Sequence, residues 1–122
     1  MKSSFNKPQS EAITHGKGPA LILAGPGSGK TLVITQRVKN LIEKQHIRPS
    51  NILVITFTKA AATQMKERFT ILMGEGRYPV TFGTFHAVFF SVLKNAYYYT
   101  AQNIIREEKK YQILYDIIHR ME

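Results

Sequence analysis

Cysteine is absent from the 122 residues, which excludes disulfide staples and thiolate metal sites and leaves nothing that calls for an oxidising compartment. Long apolar runs are missing too. The longest, residues 20–24 and 87–90, fall far short of the roughly 20 residues needed to span a bilayer. The opening Met1-Lys2-Ser3-Ser4-Phe5-Asn6 has no apolar stretch of the signal-peptide kind. A cytoplasmic protein with no membrane partner is the expectation. Acid is scarce: the only Asp is Asp116, and 8 acidic side chains face 17 basic ones for a formal charge of +9. The excess is uneven, with 13 Lys/Arg against 4 Glu in residues 1–100 and 4 against 4 in residues 101–122. A basic domain suits a polyanion, nucleotide or nucleic acid, although many basic proteins bind neither.

What is present is enough apolar material, 43% of the residues, for one compact core. Turn signals divide the chain into an alternating series with no internal repeat. Residues 10–14 read as a short helix closed by His15-Gly16-Lys17-Gly18-Pro19. The run Ala20-Leu21-Ile22-Leu23-Ala24 between Gly and Pro predicts a buried parallel strand. Leu32, Val33, Gln36, Val38, Leu41 and Ile42 recur at helical spacing and should fade before Pro49. Residues 52–57 predict a second buried strand, and residues 59–72 a helix that Gly74-Glu75-Gly76 ends. A short third strand is expected at residues 80–82 and an apolar helix at 85–94, with Tyr97-Tyr98-Tyr99 irregular or at a helix end. This alternation predicts an α/β fold, a parallel sheet covered on both faces by helices. From 107 to 121, Tyr111, Leu114, Ile117, Ile118 and Met121 form one stripe, an amphipathic helix in need of a partner surface.

Ala24-Gly25-Pro26-Gly27-Ser28-Gly29-Lys30-Thr31 sits between a predicted strand and a predicted helix, the context of a phosphate-binding loop. Glycines let the backbone curl so that successive N–H groups and the helix N-terminus meet an anion. Lys30 reaches the terminal phosphates and the Thr31 hydroxyl ligates Mg²⁺, the two side chains taken as catalytic. Ala24 stands where the strict pattern has Gly. The loop alone leaves kinases, transporters, GTPases and helicases open.

Three further segments resemble, in order, motifs of the UvrD/Rep-like superfamily 1 DNA helicases. Phe5-Asn6-Lys7-Pro8-Gln9 is similar to the family's Q motif, whose Gln reads the adenine edge, so the resemblance assigns Gln9 to ATP. Thr56-Phe57-Thr58-Lys59-Ala60-Ala61-Ala62-Thr63-Gln64-Met65-Lys66-Glu67-Arg68 looks like motif Ia, TFTNKAAxEMKER, with Lys59 for Asn, Ala60 for Lys and Gln64 for Glu. A strand-end Thr pair and a helix N-terminus can hold a backbone phosphate, and Phe57 can either stack on a base or pack in the core. Thr81-Phe82-Gly83-Thr84-Phe85-His86-Ala87 resembles the next motif, whose TFH core lies beside the DNA track. Thr84 and Phe85 would then flank DNA, and His86 would donate to phosphate or tie the loop down. Many members carry Arg after the loop Thr, where this chain has Leu32.

The resemblance implies a P-loop, RecA-like sheet with flanking helices. Residues 1–100 would form part of the first motor domain and 101–122 the start of a helical insertion. No apolar strand ends in adjacent carboxylates, so the acids that hold Mg²⁺ and orient water are expected in a longer chain. The function implied is ATP-dependent translocation on single-stranded DNA with duplex unwinding in replication, repair or recombination. ATP and Mg²⁺ would be the cofactors, and single-stranded DNA and a second RecA-like domain the partners. A helicase-nuclease of the RecB/AddA kind shares the motifs. A different phosphate-loop NTPase, or a module that only holds nucleotide or nucleic acid, explains the loop without the other three segments.

Overall fold

A computed structural model describes residues 4–121. The helices are α1 (Lys7–Thr14), α2 (Lys30–Glu43), α3 (Lys59–Met73), α4 (Phe85–Tyr97) and α5 (Glu107–Met121), and the strands are β1 (Leu53–Thr56) and β2 (Thr81–Thr84). Short 3₁₀ turns cover Pro49–Asn51 and Ala101–Asn103. Local chemistry starts several of these elements. Asn6 caps α1, its Oδ1 accepting from the Gln9 N–H at 2.9 Å while Gln9 Oε1 accepts from the Asn6 N–H at 3.0 Å. This reciprocal pair starts α1 earlier than hydrophobic spacing alone suggests. Thr58 caps α3 by accepting from the Ala61 N–H at 3.2 Å.

β1 and β2 pair in parallel, with Leu53 opposite Thr81 and Thr56 opposite Thr84, joined by α3 as the crossover. The core lies between α3, the sheet and α2. Val38, Ile52, Phe69 and Val80 are buried there, backed by Leu41, Ile42, Val54, Met73, Tyr78 and Phe82. Phe69 organises it, its ring 5.5 Å from Phe82 and 6.3 Å, edge on, from Tyr78. α1 packs on α2, where Ala12 and Ile13 are buried. Among the described residues no helix is long and apolar enough to cross a membrane.

The mixed α/β class is as expected, but two strand expectations need correction. Residues 20–24 form no strand, and Leu21 and Leu23 are each 87% exposed. The reason is pairing: a strand needs a neighbour's N–H and C=O groups, and among the described residues the sheet has two strands that pair only with each other. β1 is also not fully buried, Leu53 being 47% exposed. Two strands with α3 packed against them do not provide the two covered faces that the alternation predicts.

The described chain divides into two compact units between Phe85 and His86, upstream of the change in charge near residue 100. The second unit carries most of α4 and all of α5 and buries no side chain. Tyr97 ends α4, and Tyr98 follows with φ 58°. The stripe on α5 is exposed throughout, with Tyr111 at 67% and Met121 at 82%.

Candidate nucleotide site and strand-end surface

Residues 24–29 form a loop, turned at residues 26–28, that leads directly into α2 at Lys30. Gly27 (φ 72°) and Gly29 (φ 78°) adopt left-handed conformations that a side chain disfavours, which is how the loop curls within so few residues. Ser28 closes the turn, its N–H and Oγ both donating to the Gly25 carbonyl at 3.3 and 2.6 Å. Gly29 occupies the cap position of α2 without a side-chain bond to the first-turn N–H groups. Lys30 folds back across the loop, Nζ donating to the Ala24 carbonyl at 3.2 Å. Thr31, half-buried in the first turn, is followed by Thr35, whose buried hydroxyl donates to the Thr31 and Leu32 carbonyls.

Gln9 reaches this loop from α1. Its Nε2 donates to the Ser28 carbonyl at 3.1 Å, a contact between residues 19 apart in sequence. A Cβ on Gly29 would stand 3.5 Å from the same nitrogen. With Nε2 against a carbonyl and Oε1 against the Asn6 N–H, the amide is held in one orientation. Each end keeps unused capacity, one N–H on the nitrogen and one lone pair on the oxygen. A cavity of about 440 Å³ opens beside these groups, lined by Asn6, Gln9, Gly25, Ser28, Lys30 and Arg37 together with Ile22, Leu23, Val33 and Ile34. The arrangement offers an amide edge, an ammonium and apolar walls to one ligand.

Magnesium finds little protein here. Among the described residues no group of three His, Asp or Glu side chains could hold a metal ion, and Asp116 lies on α5 in the second unit. Thr31, half-buried and outside the residues that line the cavity, could give at most one hydroxyl ligand, leaving phosphate oxygens and water to complete a shell.

The second set of sequence-marked residues gathers at the carboxyl ends of the two strands. Parallel register sets Thr56 beside Thr84, bringing the two TF-containing segments to one sheet edge. The Thr56 hydroxyl donates to the Thr58 carbonyl at 2.9 Å, so a phosphate would have to take over that proton. Thr58 uses its oxygen as the α3 cap and keeps its O–H. Phe57 is 92% exposed and takes no part in the core around Phe69, and its ring lies 5.8 Å from that of Phe85, tilted by 53°. Lys59, exposed, begins α3. His86, exposed in the first turn of α4, belongs to the second unit.

Two polar side chains that line the nucleotide cavity, Asn6 and Arg37, carry no role in the motif resemblance. Asn6 was readable from the N-cap spacing Asn-x-x-Gln before a helix. Arg37 carries no local signal, since its carbonyl partners Ala12 and His15 are separated from it by the whole loop.

Comparison with known sequences identifies a family. The profile of the UvrD/REP helicase N-terminal domain matches residues 5–121. Among similar proteins, the ATP-dependent DNA helicase PcrA of Bacillus subtilis (strain 168) is 44% identical over 92 residues, 75% of this chain and 12% of the relative. The PcrA of Staphylococcus aureus (strain Mu50) is 44% identical over 90 residues, 74% of this chain and 12% of the relative. The chain thus spans about 12% of the length of the relatives it matches. With the profile covering nearly every described residue, the chain belongs to the UvrD/REP helicase N-terminal domain family.

Proposed function

We propose that this chain is the nucleotide-binding part of an ATP-dependent motor that translocates on single-stranded DNA and unwinds duplex. The observation that carries the reading is the bond from Gln9 Nε2 to the Ser28 carbonyl, which joins the adenine-reading residue to the phosphate loop at one cavity. Gln9 would present its spare N–H and lone pair to adenine N7 and N6–H. Residues 24–29 would wrap the phosphates with backbone N–H groups, and Lys30 would contact their terminal oxygens. Thr31 would ligate Mg²⁺, which supplies charge neutralisation on those oxygens when bound. Thr56, Thr58, Lys59, Thr84 and His86 would contact the DNA backbone, and Phe57 with Phe85 would offer a stacking surface.

In this reading β1 and β2 belong to a RecA-like P-loop sheet. Residues 20–24 become a strand only when another strand lies beside them, and residues 101–122 open a helical insertion. A second RecA-like domain would close on the nucleotide. Family membership and the relatives' name, ATP-dependent DNA helicase, support the assignment of the whole activity.

Titration with ATP and GTP tests the adenine role. Gln9→Ala should narrow the preference for ATP by about 1–3 kcal/mol, the usual worth of a bidentate amide contact to a base. Equal discrimination before and after the substitution would remove Gln9 from the adenine site. Circular dichroism serves as a control, because the same side chain completes the α1 cap.

On the DNA side, Phe57→Ala should cost on the order of 1–3 kcal/mol of oligothymidine affinity with little change in salt slope. Lys59→Ala should instead lower that slope by about one ion. Because Phe57 is exposed, its removal leaves the fold intact. Unchanged affinity in a folded Phe57→Ala chain would exclude stacking.

A further inference from the structure

α1 has only eight residues and buries only Ala12 and Ile13, too little helix to hold its place unaided. It is tied at both ends to the unit made by the loop and α2. At its start Gln9 bonds Ser28. At its end Arg37 Nη1, from α2, donates to the carbonyls of Ala12 at 3.0 Å and His15 at 2.9 Å. Gln45 Nε2 adds a bond to the same His15 carbonyl at 3.1 Å. These carbonyls lie at the C-terminal end of α1, where intrahelical donors run out and the helix dipole favours a cation. Among the described residues no carboxylate pairs with Arg37. The half-buried guanidinium therefore spends its contacts on the end of α1 while lining the same cavity as Gln9 and Lys30.

We propose that Arg37 is a positioning residue for adenine selectivity. By clamping the end of α1 to α2, it holds the Gln9 amide at the angle and height the phosphate loop requires, coupling the adenine and phosphate halves of the site. The inference rests on Gln9 reading adenine. The loop holds phosphate with its own backbone N–H groups and Lys30 and meets α1 through the Gln9–Ser28 bond, so removing the clamp should act on base selectivity and leave phosphate affinity in place.

Calorimetric titration of the chain with ATP, GTP and tripolyphosphate reads both halves. In Arg37→Ala the ATP:GTP affinity ratio should fall toward one, a loss of roughly tenfold for a base contact no longer aligned, with tripolyphosphate affinity unchanged. Arg37→Lys, which keeps the charge but not the planar fork, should give an intermediate ratio. In a Gln9→Ala background, Arg37→Ala should change the ratio no further, since both substitutions remove one contact. A wild-type ratio in Arg37→Ala overturns the proposal, and so does a parallel fall in tripolyphosphate affinity, which would mean direct phosphate contact or general unfolding. If Arg37→Ala does not fold, Arg37→Lys decides: a wild-type ratio there overturns the proposal as well. A wild-type chain with no preference for ATP, or one whose preference survives Gln9→Ala, refutes the adenine reading itself and the inference with it.

Discussion

Mixed with Mg²⁺ and ATP, this chain is expected to release phosphate no faster than a blank, with or without oligothymidine. Phosphoryl transfer depends almost wholly on positioning and electrostatic stabilisation. Among the described residues the cavity beside the loop is lined by the Asn6 and Gln9 amides, the Ser28 hydroxyl, the Lys30 ammonium, the Arg37 guanidinium and apolar side chains but by no Asp or Glu. No carboxylate lines it to activate an attacking water or to hold Mg²⁺, and Thr31, in the first turn of α2, is not among the lining residues. Positioning by itself is worth about 7–11 kcal/mol of barrier, so its loss takes the rate below detection rather than merely reducing it. DNA bound at the strand ends brings no carboxylate and should not rescue turnover. Phosphate release by the wild-type chain that oligothymidine stimulates and Lys30→Ala abolishes would defeat this expectation. It would reveal an acid reaching the phosphates from elsewhere in the chain.

Lys30→Ala should weaken ATP by about 1.5–3 kcal/mol, the worth of a charged hydrogen bond, or roughly ten- to a hundredfold in dissociation constant. Adenosine should be almost unaffected. In the structure the ammonium rests on the Ala24 carbonyl, a contact that bound phosphate oxygens would replace. The substitution therefore removes both the phosphate contact and a tie across the loop, while the bond from Gln9 to Ser28 remains. Comparing ATP, ADP and adenosine separates these effects, with the loss expected to grow with the number of phosphates. A loss that is equal for all three ligands would show that Lys30 supports the loop and does not bind phosphate.

Local signals carried much of the fold. α3 begins where Thr58 caps it and runs to Met73, one residue past the predicted end. β1 and β2 appear within the predicted apolar segments or next to them, and α5 has the predicted bounds. Each depends on capping, periodicity or turn chemistry contained within a few neighbouring residues. The site residues were legible as motifs for the same reason, since a curled glycine loop or a strand-end Thr-Phe-Thr is local chemistry. What they touch was not. An exposed Gln before a short helix gives no hint that its amide will bond a carbonyl 19 residues away.

The sequence by itself thus determined that this is a basic α/β chain with a glycine-rich loop opening α2 and with two Thr-Phe segments at strand ends. Tertiary structure decided the rest, because each remaining feature depends on residues far apart in the chain. Residues 20–24 have the composition of a strand yet form none and stay largely exposed, because a strand exists only where another backbone supplies its hydrogen bonds. Phe57 is apolar enough for a core, but Phe69 fills the buried space with Phe82 packed beside it, leaving Phe57 exposed with its ring 5.8 Å from that of Phe85. Arg37 reads as one more surface cation until α1 folds back and presents the carbonyls of Ala12 and His15 to it. Periodicity and capping are written over a few residues, whereas pairing partners, exposure and clamps are settled only when distant segments compete for the same neighbours.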